Sequence, residues 1–126
     1  MGALVIFAVN VKAVANFYAA VLGLSAQPQP GDSKKDIRLG NGDAELLIHS
    51  IPPQISKTIV LQAPPAPREE SAMKPVFNVN SLSIALEQVT LRGGIVTERT
   101  FTLNGLTRRD VVDPEGNIVQ LRSAFV

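Results

Sequence analysis

Few side chains in this sequence can do chemistry, and their spacing limits what that chemistry is. There is one histidine, His49, and no cysteine. Imidazole titrates nearest neutrality, so His49 is the one ready base or metal ligand. In "AELLIHS", strand alternation puts Glu45, Leu47 and His49 on one face. The plainer reading of His49 is a partly exposed strand-end residue before Pro52-Pro53. Acids cluster in "VVDPEGN", at Asp113 and Glu115. There Pro114 presets φ, Gly116 permits positive φ, and the acids accept from turn amides, so the cluster reads as turn chemistry. Arg122 follows on a strand; its planar fork pairs with carboxylate or phosphate, and a surface salt bridge is its plainer role. Without cysteine, a zinc ribbon, an iron–sulfur cluster, a thiol nucleophile and a disulfide scaffold are excluded. No Ser–His–Asp set is recognisable by spacing. No Gly-rich loop leads from a strand into a helix to cradle phosphate.

The 126 residues suit one domain, and 45% apolar residues are enough for a core without disulfides or metal. Twelve basic and 11 acidic residues leave a net charge of +1. The basic residues are scattered, with no run longer than Lys34-Lys35 or Arg108-Arg109. One tyrosine, five phenylalanines and no tryptophan make a poor base-stacking platform. No nucleic-acid partner is expected. "MGALVIFAVN" is short and lacks a basic lead, so it reads as a strand and not a signal peptide. No stretch reaches the length of a membrane span, and the absence of cysteine fits a cytoplasmic location.

The elements that must position these residues follow from periodicity. "ALVIFAV", 3–9, reads as a buried strand. Val11, Val14, Ala15, Tyr18, Val21 and Leu22 recur at helical spacing up to Gly23, a natural stop. A short strand is expected at 24–28, and "KDIRLG" and "AELLIHS" flank Asn41-Gly42, a type I′ hairpin signal. "KTIVLQ", 57–62, reads as another strand, and "APPAPREESAMKP", 63–75, as a linker or covering loop whose charged run Arg68-Glu69-Glu70 is solvated. "VFNV", 76–79, opens a second unit. Residues 81–94 form a helix with Ser81 as N-cap and Gly93-Gly94 as its stop, and three strands follow. The units repeat: a shift of 70 lays "FAVNVKAVANFYAAVLG", 7–23, over "FNVNSLSIALEQVTLRG", 77–93, with five identities in 17 positions. The expected fold is α+β, two βαβββ modules in a single domain 1–126: module one about 3–62, a linker about 63–75, and module two about 76–126.

A duplicated βαβββ module of this size resembles the vicinal oxygen chelate superfamily, the glyoxalase, bleomycin-resistance and dioxygenase-like proteins. The resemblance rests on "NVKAVANFYAAVLGL", 10–24, "KPVFNVNSLSIALEQVTLRGGIV", 74–96, and "DVVDPEGNIVQL", 110–121, which cover both modules. It implies one cupped mixed sheet with helices outside, and a homodimer. In the family's enzymes a divalent metal sits in the cup, chelates two substrate oxygens and stabilises the oxyanion that forms. The ligand positions that the resemblance implies fall on Ala3 or Leu4, near Leu47 with Glu45 and His49 beside it, on Lys74 and on Gln120. An ammonium has no lone pair, and an amide lacks carboxylate charge. No metal or other cofactor is therefore expected, and no catalytic residue is assigned.

Alternation and the repeat predict the lining of the cup: Leu4, Ile6 and Ala8; Glu45, Leu47 and His49; Lys74, Val76 and Asn78; and Ile118, Gln120 and Arg122. Val119 and Leu121, with Ala44, Leu46 and Ile48, should lie under the helices. His49, Lys74, Asn78, Gln120 and Arg122 are the candidate ligand-binding residues. The function expected is binding of an unidentified small molecule by a protein of the glyoxalase/bleomycin-resistance type with a degenerate metal site. The alternative is a metal-dependent lyase or dioxygenase-like enzyme with a rearranged ligand set using His49 and Glu45.

Overall fold

The computed structural model describes residues 2–42 and 44–126. The first module runs β1 (Leu4–Ala8), α1 (Val11–Leu22), β2 (Ser25–Ala26), β3 (Ile37–Gly40) and β4 (Glu45–Ser50). A one-turn helix, α2 (Pro53–Ser56), starts the connection. The second module runs β5 (Val76–Asn78), α3 (Leu82–Leu91), β6 (Ile95–Leu103), β7 (Leu106–Val112) and β8 (Ile118–Ser123). The expected α+β fold of two βαβββ modules is what the chain adopts. Each module builds a four-stranded mixed sheet, in the orders β1-β4-β3-β2 and β5-β8-β7-β6. The first and last strands of each module pair in parallel, and the other pairs are antiparallel.

Both helices are set by their caps. Asn10 accepts from the Ala13 amide and Ser81 from the Ile84 amide, and each chain reverses at a left-handed glycine, Gly23 or Gly93. The core lies between the helices and one face of each sheet, with Val14, Phe17, Tyr18, Leu46, Ile48 and Leu121 among its fully buried members. Each such large side chain contributes about 1.5–3 kcal/mol. The modules meet through α1 and α3. No helix among the described residues is long and apolar enough to cross a membrane.

Three local expectations are corrected. Residues 57–62 form no strand: Pro53 starts the short helix instead, and Val60 is left 89% exposed with no strand beside it. The Asn41-Gly42 turn is not a two-residue type I′ turn. Gly40 pairs with Glu45 across it, only Gly42 of the Asn41-Gly42 dipeptide is at positive φ, and the Asn41 side chain accepts from the Ala44 amide at 2.9 Å. The two-residue hairpin occurs at Asn104-Gly105, where φ is 52° and 74° and Leu103 pairs with Leu106.

The third correction concerns faces. Leu4 pairs with Leu46 and Ile6 with Ile48, so Leu4, Ile6 and Ala8 point to the helices, and Val5 and Phe7 take the open face. The shift of 70 misled because the repeat is not uniform. The caps Asn10 and Ser81 are 71 apart, whereas the reversal glycines Gly23 and Gly93 are 70 apart. From N-cap to reversal glycine the second helix is one residue shorter. A shift that matches the helices therefore inverts the preceding strand.

Candidate functional site

The open face of the second sheet is a set of cross-strand rows. Val76, Gln120 and Asp110 are register partners, and beside them run Asn78, Arg122, Arg108 and Phe101. Val119 and Leu121 alternate to the core, as expected. At the centre is Asp110, 4% exposed. Its carboxylate accepts from Lys74 Nζ at 2.7 Å and from Gln120 Nε2 at 3.2 Å, with Arg99 Nε 3.5 Å away. Its backbone carbonyl accepts from the Thr97 hydroxyl at 2.7 Å. A buried carboxylate is costly unless paired and hydrogen-bonded, and here it is both. The connection folds over this face: Pro67, Ser71 and Met73 close a cleft of about 340 Å³ with Lys74, Asp110 and Ile118. A larger cleft of about 580 Å³ lies along β5 between α1 and α3, but among the described residues no titratable side chain lines it. The chemistry sits at the smaller one.

The candidate residues divide between the two sheets. Lys74, Asn78, Gln120 and Arg122 gather on the second. Lys74 is not simply solvated but ion-paired to Asp110. Arg122 makes no salt bridge among the described residues: its Nε donates to Asn78 Oδ1 at 2.6 Å. Gln120 links Asp110 to Arg108, whose Nη1 donates to Gln120 Oε1 at 3.3 Å. Asp110, Thr97, Arg99 and Arg108 were not among the sequence candidates. The β7–β8 register finds two of them, setting Asp110 opposite Gln120 and Arg108 opposite Arg122, whereas Thr97 and Arg99 lie where the β6–β7 register shifts between Val96 and Thr100.

His49 lies on the first sheet's open face, beside Phe7 in an edge-to-face contact of 5.3 Å. Its Nδ1 is 2.7 Å from Asp36 Oδ2, and its side chain is 41% exposed. Burial pushes the Asp36 carboxyl up, but the Ser50 amide and His49 outweigh it and hold it below the usual carboxylate range. Glu45 shares this face but is taken by Arg38 at 2.7 Å. Arg38 also grips Asp32 at 2.8 Å, and that hydrogen bonding, helped by the Gln29 amide, holds the Asp32 carboxyl down to about 2.

The acids of the "DPEG" turn are structural, as expected, though not only for the turn. Asp113 is wholly buried and accepts from the Glu115 and Asn117 amides and from the Tyr18 hydroxyl at 2.8 Å. Burial, followed by the Asp113 charge and that hydrogen bond, pushes the Tyr18 hydroxyl well up. Glu115 reaches across to the other module, accepting from the Val9 amide at 2.9 Å and the Asn10 amide at 2.7 Å. α1 has no acid in its first turn, so Glu115 supplies the negative charge that a helix start favours. Arg68 is not merely solvated either. It binds the Glu115 carbonyl through Nε and the Gly116 carbonyl through its amide, fastening the connection to the turn.

The donor set does not fit the divalent metal that the family resemblance implies. Lys74 brings an ammonium to the one carboxylate, Gln120 brings an amide, Leu47 brings nothing, and Leu4 faces the core. Among the described residues, no group of three or more His, Asp or Glu side chains is placed to hold a metal ion.

No protein-family model matches the chain, and no curated protein matches it. Solved structures do. A glyoxalase/bleomycin resistance protein from Albidiferax ferrireducens superposes with a TM-score of 0.68 at 16% identity, covering 98% of this chain and 97% of that one. A glyoxalase/bleomycin resistance protein/dioxygenase family enzyme from Burkholderia phytofirmans gives 0.67 at 16%, covering 96% and 95%. A fosfomycin resistance protein from Mesorhizobium loti gives 0.66 at 10%, covering 98% and 90%.

Proposed function

From the glyoxalase/bleomycin resistance fold as premise, we propose that this chain binds a small organic molecule without a catalytic metal. The observation that carries the reading is the second sheet's open face. It holds a polar cluster around buried Asp110, bordered by Val76 at 42% and Phe101 at 39% exposure, under a partial roof. Convergent polar groups in a cleft are what fixes a ligand's orientation, and the cleft, though lined mostly by polar side chains, has a volume in the usual range. Lys74 already neutralises the carboxylate that a metal would use. A second copy completes the hollow in this reading. Val5 and Phe7 are 46% and 59% exposed on the first sheet's open face, an apolar patch that a second copy would cover. Sedimentation of the purified chain as a dimer supports that arrangement, and a monomer rejects it.

The main test is a thermal-shift screen of metabolites and antibiotics on chelator-treated protein. A true ligand raises the melting temperature with concentration by mass action. Stoichiometric metal in untreated protein, with a turnover that is lost on stripping it, rejects the reading.

One observation favours a second reading. Asp36 orients the His49 ring through Nδ1 and leaves Nε2 for a substrate, the geometry of an acid–base enzyme. A turnover abolished by His49→Ala supports it, and one indifferent to that change removes it.

A further inference from the structure

Arg108 and Arg122 are direct cross-strand partners on β7 and β8. Like charges placed directly opposite repel, and an anion between or beside them relieves that repulsion. The described residues supply none. Among the described residues, neither guanidinium has a carboxylate partner: Arg122 donates to the Asn78 amide, and Arg108 to the Gln120 amide. Asp110, the acid on this face, is already held by Lys74. Arg108 Nε is buried and has no acceptor. An unsatisfied buried donor on a charged group is costly, and in native proteins it calls for an explanation. Beside the pair lies an apolar floor. The Arg108 guanidinium lies over the Phe101 ring, 6.0 Å from its centroid; Phe101 keeps 39% exposure, and Leu103, 52% exposed, follows two residues along β6.

We infer that Arg108 and Arg122 together bind the oxyanion group of a ligand whose apolar body lies against Leu103 and the part of Phe101 that Arg108 leaves exposed. The inference rests on the binding reading above and adds to it the ligand's chemical class. A carboxylate or a phosphate ester matches the two forks equally, since both present paired oxygens to guanidinium N–H groups. The apolar floor selects against a bare inorganic ion.

Titration calorimetry on the full chain tests this with benzoate, phenyl phosphate and the neutral isostere benzamide. One of the two anions should bind saturably, with benzamide at least about tenfold weaker and the anion's affinity falling as salt rises. The tighter anion names the oxyanion. Arg108→Gln and Arg122→Gln should each weaken it about tenfold or more, and Arg122→Lys should recover only part of the loss. Arg122 lies toward solvent, so its variant keeps the test valid if Arg108→Gln fails to fold. Benzamide binding as well as the anions overturns the inference, as does undiminished anion binding by Arg122→Gln. So does a variant that changes the oligomeric state with anion affinity unaltered, since the pair then belongs to a subunit contact. If neutral compounds bind and Arg122→Gln is indifferent, this inference falls and the binding reading stands. If nothing in the wider panel binds, both fall.

Discussion

Replacing Glu115 by alanine should destabilise the whole fold, although it lies in a turn far from α1 in sequence. The carboxylate accepts two backbone N–H groups, at 2.9 and 2.7 Å, and its residue is 4% exposed. A hydrogen bond to a charged group contributes about 1.5–3 kcal/mol, and the helix-start charge adds about 0.3–1 kcal/mol. The two bonds share one carboxylate and do not add fully, which places Glu115→Ala at about 3–5 kcal/mol. Glu115→Gln keeps one acceptor oxygen but points an NH₂ at a backbone donor, so about half that loss is expected. For a chain of this length, the alanine variant should melt roughly 10–20 °C lower. Urea denaturation measures it, with the midpoint moving and the slope unchanged. Hydrogen exchange should show the Val9 and Asn10 amides opening first. Exposed Glu98→Ala is the control and should stay within about 0.5 kcal/mol. A Glu115→Ala loss below about 1 kcal/mol, or a glutamine variant as stable as wild type, refutes the cross-module role.

Three further outcomes follow from the geometry. Gly116→Ala should cost more than about 2 kcal/mol in the same urea assay, because φ is 93° there and an added Cβ presses on the Ala66 carbonyl oxygen. Tyr18→Phe should cost about 1–2 kcal/mol, since Asp113 keeps its amide donors when the hydroxyl goes. Asp32 has a carboxyl depressed from 3.8 to about 2 in the fold. Its contribution is therefore present above the unfolded value and lost as pH falls toward 2. Denaturant midpoints measured between these pH values should fall less steeply in Asp32→Asn than in wild type.

The elements with local signals were legible in the sequence. α1 and α3 carry their own caps and stops, and β8 shows its two faces by alternation: Val119 and Leu121 in, Gln120 and Arg122 out. The site was legible only where alternation within one strand sufficed. Asp110 and Arg108 needed the register between β7 and β8, which the 113–117 turn sets and no periodicity reveals. The face of β1 was inverted because the stretch from N-cap to reversal glycine is one residue shorter in the second module, a change of length that a fixed repeat cannot express. Residues 57–62 have β-branched composition but no neighbouring strand, and composition alone does not supply a partner.

The reach of Glu115 also orders events in time. A ribosome releases β1 and α1 about a hundred residues before it makes the acid that holds their junction. Until then the Val9 and Asn10 amides lack their carboxylate acceptor, and the first module leaves the exit tunnel without it. The sequence repeats a module, but the halves are not equals in synthesis: the second carries the fastener for both. A nascent chain truncated before the last turn should therefore be the chaperone's client, and one completed through β8 should not.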